Sequence, residues 1–300
     1  MLSNFIGEIA ALSAASLWAA ASVVYSRLGL KIPPLQLNFY KGIVAIAFIL
    51  ITLIIQQASF AGVSLATVVL LALSGVVGIG LGDTAYFAAL NTIGARRTLL
   101  LETASPPIGA LLALIFLKEQ LTVNAWCGIL LTLIGIVTVI GDRTPSITGN
   151  STSIPVLGII WAILAAIAQA CGAVISRFAL LQSDISPLES TLIRLLAGTA
   201  IALILVIFAS PLNATQPKLN WRLSPRVFMG IAIAAFGSTY LGIWLQQTSL
   251  KFAPTGIAQT LLATSPLFVL PLVAIMGEKI TIRAILGVLI AVAGISLLFL

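Results

Sequence analysis

The sequence contains no histidine, only two cysteines and only 8% charged residues. Without histidine, a histidine-ligated zinc site and a Ser-His-Asp triad are both excluded. Cys127 and Cys171 stand alone inside apolar segments, which favours buried thiols over a disulfide framework or a metal site. Soluble globular domains carry about 25% charged residues, so the shortage of charge excludes that class. We expect no metal, no cofactor and no enzymatic activity.

Hydrophobic residues make up 60% of the chain and gather into long apolar segments. Each segment is close to the ~20 residues that a helix needs to cross a bilayer. The sequence therefore predicts an all-α membrane protein with ten transmembrane helices, called spans 1 to 10. Connections after the odd-numbered spans reach one side, face A, and connections after the even-numbered spans reach face B. The predicted spans cover residues 7–27, 35–56, 66–91, 95–117, 124–141, 154–176, 187–210, 226–250, 254–276 and 282–300.

A polar connection at 142–153 divides the chain nearly in half. Short motifs recur in the same order on either side of it, which indicates an internal repeat. Ser26-Arg27 recurs as Ser176-Arg177, Pro34-Leu35 as Pro187-Leu188, Lys41 as Arg194, and Thr103-Ala104-Ser105-Pro106 approximately as Ala263-Thr264-Ser265-Pro266. Glu119, Thr122, Gly128 and Gly135 recur as Glu278, Thr281, Gly287 and Gly294, always 159 residues later.

Each half holds five spans, so the second half must enter the membrane from the opposite side to the first. The sequence therefore predicts two inverted five-helix repeats, residues 1–145 and 146–300. Inverted repeats are typical of carriers that expose one central site alternately to the two sides of a membrane.

These features together resemble the EamA-type transporters of the drug/metabolite transporter superfamily. The resemblance rests on five helices twice, a basic residue early in the second span of each half, a Ser-Pro in the fourth, and Glu-x-x-Thr followed by glycine. It extends over essentially the whole chain. It implies a carrier for small metabolites, often an exporter, with a central cavity between the halves. The implied partners are a small-molecule substrate and the lipid bilayer, with no nucleic acid, in a monomer or homodimer.

Span 4 contains an ionisable residue, Glu102, followed four residues later by Pro106 and Pro107. A proline lacks the N–H that would bond the carbonyl four residues earlier, so these prolines free the carbonyls of Glu102 and Thr103. Within a membrane such a turn is tolerable only where it faces protein or a water-filled cavity. It is therefore the first candidate for a binding site. The helix-break positions expected in span 9 are Pro266 and Pro271.

Three charged residues of the first half lie at similar depth. Lys41, Asp83 and Glu102 each fall six to eight residues from face A, which is roughly 9–12 Å at 1.5 Å per residue. A charge at a helix centre costs roughly 2.5–3.5 kcal/mol on insertion scales, so a shared cluster is cheaper than three separate charges facing lipid. We predict one compensated site, with a net charge near −1 when both acids are ionised.

The second half keeps only part of this set. Ile243 and Leu262 stand where the first half has Asp83 and Glu102, whereas Arg194 matches Lys41. Gln246 matches Tyr86, and both are candidates for contacting substrate. A buried carboxylate near a cation can carry a coupling proton because its protonation responds to a charged substrate nearby. Glu102 is the first candidate for that role and Asp83 the second.

Purely structural interpretations stand beside these. Lys41 and Arg194 are also explained as anchors that reach towards lipid headgroups, and Asp83 as a packing partner of Lys41. Glu102 is also explained by a bond to Thr103 or Ser105 in its own helix. Glu119 and Glu278 are expected to form solvated pairs with the adjacent Lys118 and Lys279.

Other classes of protein compete with the carrier. Gly80-Leu81-Gly82-Asp83 matches the Gly-x-Gly-Asp of intramembrane aspartyl proteases, but such an enzyme needs a second membrane aspartate to share a proton. The remaining aspartates, Asp142 and Asp184, both fall in connections, so the dyad cannot form. A channel or a non-transporting scaffold is the stronger alternative, because neither needs alternate closure of a cavity.

Basic residues are concentrated on face A. By the positive-inside rule, face A is therefore cytoplasmic and both termini lie outside the cell. The family resemblance implies instead that both termini are cytoplasmic, so the two predictions conflict. Face A carries Arg27, Lys31, Arg96, Arg97, Arg143, Lys218, Arg222, Arg226, Lys279 and Arg283, against Lys118, Arg177 and Lys251 on face B.

Overall fold

The computed structural model describes residues 5–28, 32–57, 63–141, 155–209, 223–275 and 281–298, which are helical apart from short connections. Span 1 is Ile6–Leu28, span 2 Pro34–Ile55, span 5 Val123–Gly141, span 6 Val156–Leu181, span 7 Pro187–Ala209 and span 10 Ile282–Leu298. Spans 3 and 4 comprise Leu65–Gly75, Val76–Gly82, Asp83–Glu102 and Ser105–Phe116. Span 8 comprises Pro225–Ala235, Phe236–Leu241 and Gly242–Phe252, and span 9 comprises Thr255–Leu262 and Ser265–Ile275. The ten predicted spans are confirmed as an all-α fold.

Within the described ranges, five helical stretches are long and apolar enough by themselves to cross a bilayer, the longest being Leu65–Ile93 and Pro225–Phe252. Shorter apolar helices belong to spans 1, 4, 5 and 10. Span 6 continues to Leu181, five residues beyond the predicted end at 176. Outward-facing side chains of these helices are large and apolar, such as Ile54 and Leu65. An apolar exterior of this kind suits lipid.

The sequence predicts a short connection at 92–94 between spans 3 and 4, but the structure is helical there. Asp83–Glu102 is helical throughout, although a straight helix of that length would separate its ends by about 28 Å. Glu102 nevertheless lies within electrostatic range of Asp83, and Leu101 packs against a cluster that includes Ala89 and Ile93. The stretch Asp83–Glu102 is therefore not straight, and its end lies near its beginning.

Spans 3 and 8 each contain a π-helical segment at the same place in the repeat. These segments are Val76–Gly82 and Phe236–Leu241. A π turn leaves the regular bonding pattern of the α-helix, and such turns are often found at functional sites. Side chains from neighbouring spans bond the carbonyls there: Asn38 Nδ2 lies 2.9 Å from Ile79 O, and Trp18 Nε1 lies 2.8 Å from Ser238 O. The periodicity of apolar residues did not predict these segments.

Spans 5 and 10, which are equivalent helices of the two halves, run antiparallel, as the confirmed inverted repeat requires. A Cβ added to Gly128 would lie 2.9 Å from Gly294 O, and one added to Gly135 would lie 2.6 Å from Gly287 O. The first glycine of span 5 thus meets the second glycine of span 10, and the second meets the first. This reciprocal pairing is what a two-fold axis between the repeats requires. The glycines allow the two backbones to touch.

The remaining spans cross between the halves in matching pairs. Span 1 packs against spans 8 and 9, and span 6 packs against spans 3 and 4. Span 2 packs against its counterpart, span 7. Small residues line these contacts: a Cβ on Gly7 would lie 2.7 Å from the Cβ of Ala253, and one on Gly172 would lie 3.0 Å from the Cα of Gly78. Spans 1–4 and 6–9 therefore interlock around the centre, and spans 5 and 10 pair with each other.

Gly135→Ala tests the contact between spans 5 and 10. The added methyl group would collide with the backbone of Gly287 and Ala291, and overpacking of this kind costs about 1–3 kcal/mol. The control is Gly230→Ala in span 8, where the nearest atoms are side-chain carbons of Leu28 at 3.6 Å. We expect a lower thermal midpoint in detergent for Gly135→Ala alone; equal midpoints would contradict the backbone contact.

Candidate functional site

Asp83 is the centre of a buried polar cluster. Its Oδ2 lies 2.5 Å from Lys41 Nζ, and its Oδ1 accepts a hydrogen bond of 3.2 Å from Gln169 Nε2. The Lys41 and Asp83 side chains are only 8% and 15% exposed. The ammonium group also lies 4.9 Å from the centroid of the Phe87 ring, a distance at which a cation–π attraction operates. Asp83 is thus held by residues of both halves.

The π-helical segment before Asp83 presents the carboxylate to this cluster. Gly78 leaves room for two neighbours, since a Cβ there would lie 3.3 Å from Arg194 Nη2 and 3.7 Å from the Cα of Gly172. Asn38 bonds both Ile79 O and Thr84 Oγ1, so span 2 holds the segment on either side of Asp83. In the sequence, only the glycines of span 3 indicated that other helices approach closely here, because glycines mark places where backbones come together.

Arg194 lies on the far side of Gly78. It is 1% exposed, its Nη1 lies 3.4 Å from Gln246 Oε1, and its buried Nε has no hydrogen-bond partner within the described residues. Asp83 lies within electrostatic range of it. A buried arginine must be compensated nearby, so Arg194 joins the cluster instead of acting separately in the second half. Arg194 thus adds a second cation beside the Lys41–Asp83 pair, which the prediction of a net charge near −1 did not count.

Glu102 lies next to this cluster without joining the ion pair. Its Oε1 is buried and has no hydrogen-bond partner in the described part of the chain. The Glu102 carboxyl group lies close enough to the side chains of Asp83 and Tyr86 to interact electrostatically with both. The structure therefore brings Lys41 and Asp83 into direct contact and places Glu102 and Tyr86 beside them. Glu102 is the carboxylate of the cluster that retains an unbonded oxygen.

The two basic residues are not placed as headgroup anchors. Lys41 Nζ bonds Asp83, and Arg194 bonds Gln246 well inside the helix bundle. Both side chains are buried, whereas an anchoring side chain keeps its charge in water. The interpretation of Asp83 as a packing partner of Lys41 agrees with this geometry as well as a functional role does.

Helix breaks occur at equivalent places in spans 4 and 9. One helix ends at Glu102 and the next begins at Ser105; in span 9 one ends at Leu262 and the next begins at Ser265. Pro106, Pro107 and Pro266 occupy the first turn of the second helix, where no N–H is needed. Carbonyls at the end of the first helix accept bonds from nearer groups instead: Leu101 O from the Ala104 N–H, and Leu262 O from Ser265 Oγ at 3.1 Å.

Pro271 does not break span 9. It lies inside Ser265–Ile275, which continues past it. A single internal proline removes one hydrogen bond and bends a helix without necessarily ending it. Pro271 is exposed at the outside of the bundle, so the break predicted there is wrong.

A second polar layer lies towards face B. Gln247 Oε1 accepts hydrogen bonds from Ser176 Oγ at 2.5 Å and Ser190 Oγ at 2.9 Å. All three residues are fully buried, and Gln247 Nε2 has no partner within the described ranges. Only the polar character of these residues within apolar spans could have indicated this layer.

Glu119 does not form the predicted solvated pair with Lys118. Its Oε1 lies 2.7 Å from Arg177 Nε, and Lys118 is exposed. The equivalent Glu278 and Lys279, and the side chains of Arg96 and Arg97, lie outside the described residues. Adjacency in sequence predicted the wrong partner for Glu119, because Arg177 approaches it only through the packing of span 6.

No group of three or more His, Cys, Asp or Glu side chains that could hold a metal ion occurs within the ranges that the structure describes. The polar cluster around Asp83 is made of side chains from spans 2, 3, 4, 6, 7 and 8, so both repeats contribute to it.

Two inverted repeats around a buried polar cluster define a membrane transporter of the inverted-repeat class. The chain belongs to the EamA-like transporter family, whose sequence model matches residues 5–141 and again residues 156–300. It is 25% identical over 291 residues to an uncharacterized transporter from Archaeoglobus fulgidus, with 96% of each chain covered. A chain of known crystal structure superimposes with a TM-score of 0.77 at 16% identity, covering 97% of this chain and 95% of the other. That similarity shows the fold alone.

Lys41→Met tests the central ion pair. Methionine retains the apolar stem but leaves the Asp83 carboxylate buried without its cation, and losing one partner of a buried pair costs about 3–5 kcal/mol. We expect a clearly lower thermal midpoint for the purified variant.

The matched control is the double variant Lys41→Met and Asp83→Asn, in which no charge is left unpaired. Its midpoint should recover most of the loss. A single variant as stable as the parent would show that the pair does not stabilise the fold.

Proposed function

We propose that the protein is a secondary active carrier that moves a small polar or amphipathic metabolite out of the cell by alternating access. The observation that carries this proposal is the buried polar cluster, built on the Lys41–Asp83 ion pair, where the two inverted repeats meet. Lys41 and Asp83 come from the first repeat, and Gln169 and Arg194 come from the second. A cluster that spans the boundary between two moving halves can be exposed first to one side and then to the other.

The proposed roles follow from the contacts. The Lys41–Asp83 pair, bonded to Gln169, is the fixed part of the site. Arg194 has an unbonded Nε, and with Gln246 and Tyr86 it offers hydrogen-bonding groups to a polar substrate. We assign the polar end of the substrate to these residues.

Glu102 is the proposed coupling residue. A carboxylate that is buried, near another acid and without a bond to one oxygen can take up or release a proton as its surroundings change. Asp83 is less suited, because both of its oxygens are bonded. Proton binding at Glu102 would thus be linked to the arrival of substrate.

The proposed location is a prokaryotic-type plasma membrane. The excess of Lys and Arg on face A favours a cytoplasmic face A. Outward transport then runs from face A to face B.

A flux assay in liposomes tests the carrier proposal. Purified protein is reconstituted with candidate metabolites chosen by comparing the medium of cells with and without the gene. A carrier saturates with substrate concentration and shows counterflow, in which unlabelled substrate inside drives labelled substrate inward. A channel gives flux that is neither saturable nor driven by counterflow, and a scaffold gives no flux; either result would refute the proposal.

Glu102→Gln tests the coupling role. Glutamine keeps the size of the side chain but cannot exchange a proton at neutral pH. We expect transport driven by a proton gradient to fall at least about tenfold, a loss near 1.4 kcal/mol, while counterflow is retained. Asp184→Asn, the same change from carboxylate to amide at an exposed residue outside the site, serves as the control. Unchanged gradient-driven transport in Glu102→Gln would remove Glu102 from the coupling step.

A further inference from the structure

A second buried ion pair lies between the repeats near face B. Glu119, in the connection between spans 4 and 5, bonds Arg177 Nε of span 6 at 2.7 Å. The Glu119 and Arg177 side chains are only 12% and 10% exposed. Neither residue touches the Asp83 cluster, so the pair has no part in the site described above.

Both partners also bond the backbone where spans 8 and 9 join. Arg177 Nη1 donates to Leu250 O at 2.6 Å and to Lys251 O at 2.9 Å. Glu119 Oε2 accepts a hydrogen bond of 2.8 Å from the backbone N–H of Thr255. A carboxylate bonded to the first N–H groups of a helix is stabilised there. Glu119 of the first repeat is therefore linked to four residues of the second repeat: to Arg177 and Thr255 directly, and to Leu250 and Lys251 through Arg177.

The pair lies between the polar cluster and face B. Arg177 is eight residues beyond Gln169 on span 6, which is about 12 Å along the helix axis. The Gln247 layer lies between them, one residue before Arg177 on that helix. Closer to the cluster, Ala170, Gly109 and Gln259 bring spans 6, 4 and 9 together, with a Cβ on Gly109 only 3.6 Å from Gln259 Cγ.

We propose that the Glu119–Arg177 ion pair is the gate of face B, which holds spans 4, 6 and 9 together when the site is closed to that face. The inference rests on the carrier function proposed above. For a solute to pass between the cluster and face B, these spans must separate. Glu119 must then leave both Arg177 and the Thr255 N–H, because all these bonds cross from one repeat to the other. Arg177 keeps its carbonyl bonds within the second repeat.

Breaking the pair should shift the protein towards the state open to face B. A conformational equilibrium moves by the free energy removed from one state only. Glu119→Gln keeps the shape of the side chain and removes its charge, so the closed state alone is weakened.

Labelling of an engineered cysteine measures this shift without any substrate. The background has Cys127 and Cys171 replaced by alanine, and the reporter is Ala170→Cys, whose position is fully buried in the closed arrangement. Proteoliposomes of known orientation are treated with a membrane-impermeant maleimide from face B, and the labelled fraction is referred to the total measured after denaturation. We expect Glu119→Gln to be labelled at least about tenfold faster than the parent, since a broken buried pair strongly weakens the state that contains it.

Two controls separate a gate from general loosening. Lys118→Gln removes a charge from the adjacent, exposed residue and should be labelled as slowly as the parent. The double variant Glu119→Gln and Arg177→Gln should be labelled no faster than the faster single variant, because either change alone breaks the pair.

Three results would overturn the gate: labelling of Glu119→Gln at the parent rate, equal acceleration in Lys118→Gln, or additive acceleration in the double variant. If no carrier-type flux is seen in liposomes but the labelling pattern is as expected, the carrier proposal is refuted and the closure at face B is still supported. Flux without the labelling pattern would refute the gate alone.

Discussion

The attraction between Lys41 and Asp83 is the interaction on which the interior of this protein depends. An isolated charge inside a bilayer-spanning bundle is costly, and only direct contact with an opposite charge makes it tolerable. The two side chains come from different spans, so the pair also determines how spans 2 and 3 lie against each other. Gln169 extends the contact to the second repeat. The ion pair that makes the buried charges tolerable therefore also determines how these helices pack.

The scaffold is symmetric, but its chemistry is not. Both repeats have a π-helical segment, a broken helix and a glycine-lined fifth span. Only the first repeat carries carboxylates inside its spans at these places, since Ile243 and Leu262 stand at the matching positions. The second repeat supplies Arg194 and amides instead. A symmetric packing of the two repeats can thus hold a site to which one repeat contributes carboxylates and the other contributes an arginine and amides.

Much of the architecture could be predicted from the sequence, and the reasons are physical. Apolar length predicts the spans because hydrocarbon thickness determines it. Gly128 and Gly135 with their repeats predict close packing, and the odd number of spans predicts the inversion. The approach of Lys41 to Asp83 follows from equal depth, as does the nearness of Glu102.

The features that could not be predicted depend on rotation about helix axes and on contacts across the halves. The π-helical segments change which way Asp83 points, and nothing in the apolar pattern reveals an extra residue in a turn. Arg194 approaches Asp83 only because Gly78 leaves space for it. Glu119 has an adjacent lysine in sequence, yet its partner, Arg177, is 58 positions away.

The extra residue in the turn Val76–Gly82 has a consequence for how the gene tolerates change. A π turn holds one residue more than an α turn, so deleting a single codon there would produce a regular α turn and leave the helix on either side with its present orientation. The same deletion a few residues later, in regular α-helix, would rotate everything that follows by about 100 degrees. The valine, isoleucine, leucine and glycine codons of this stretch are therefore the place in span 3 where a change of length disturbs the direction of the acid least.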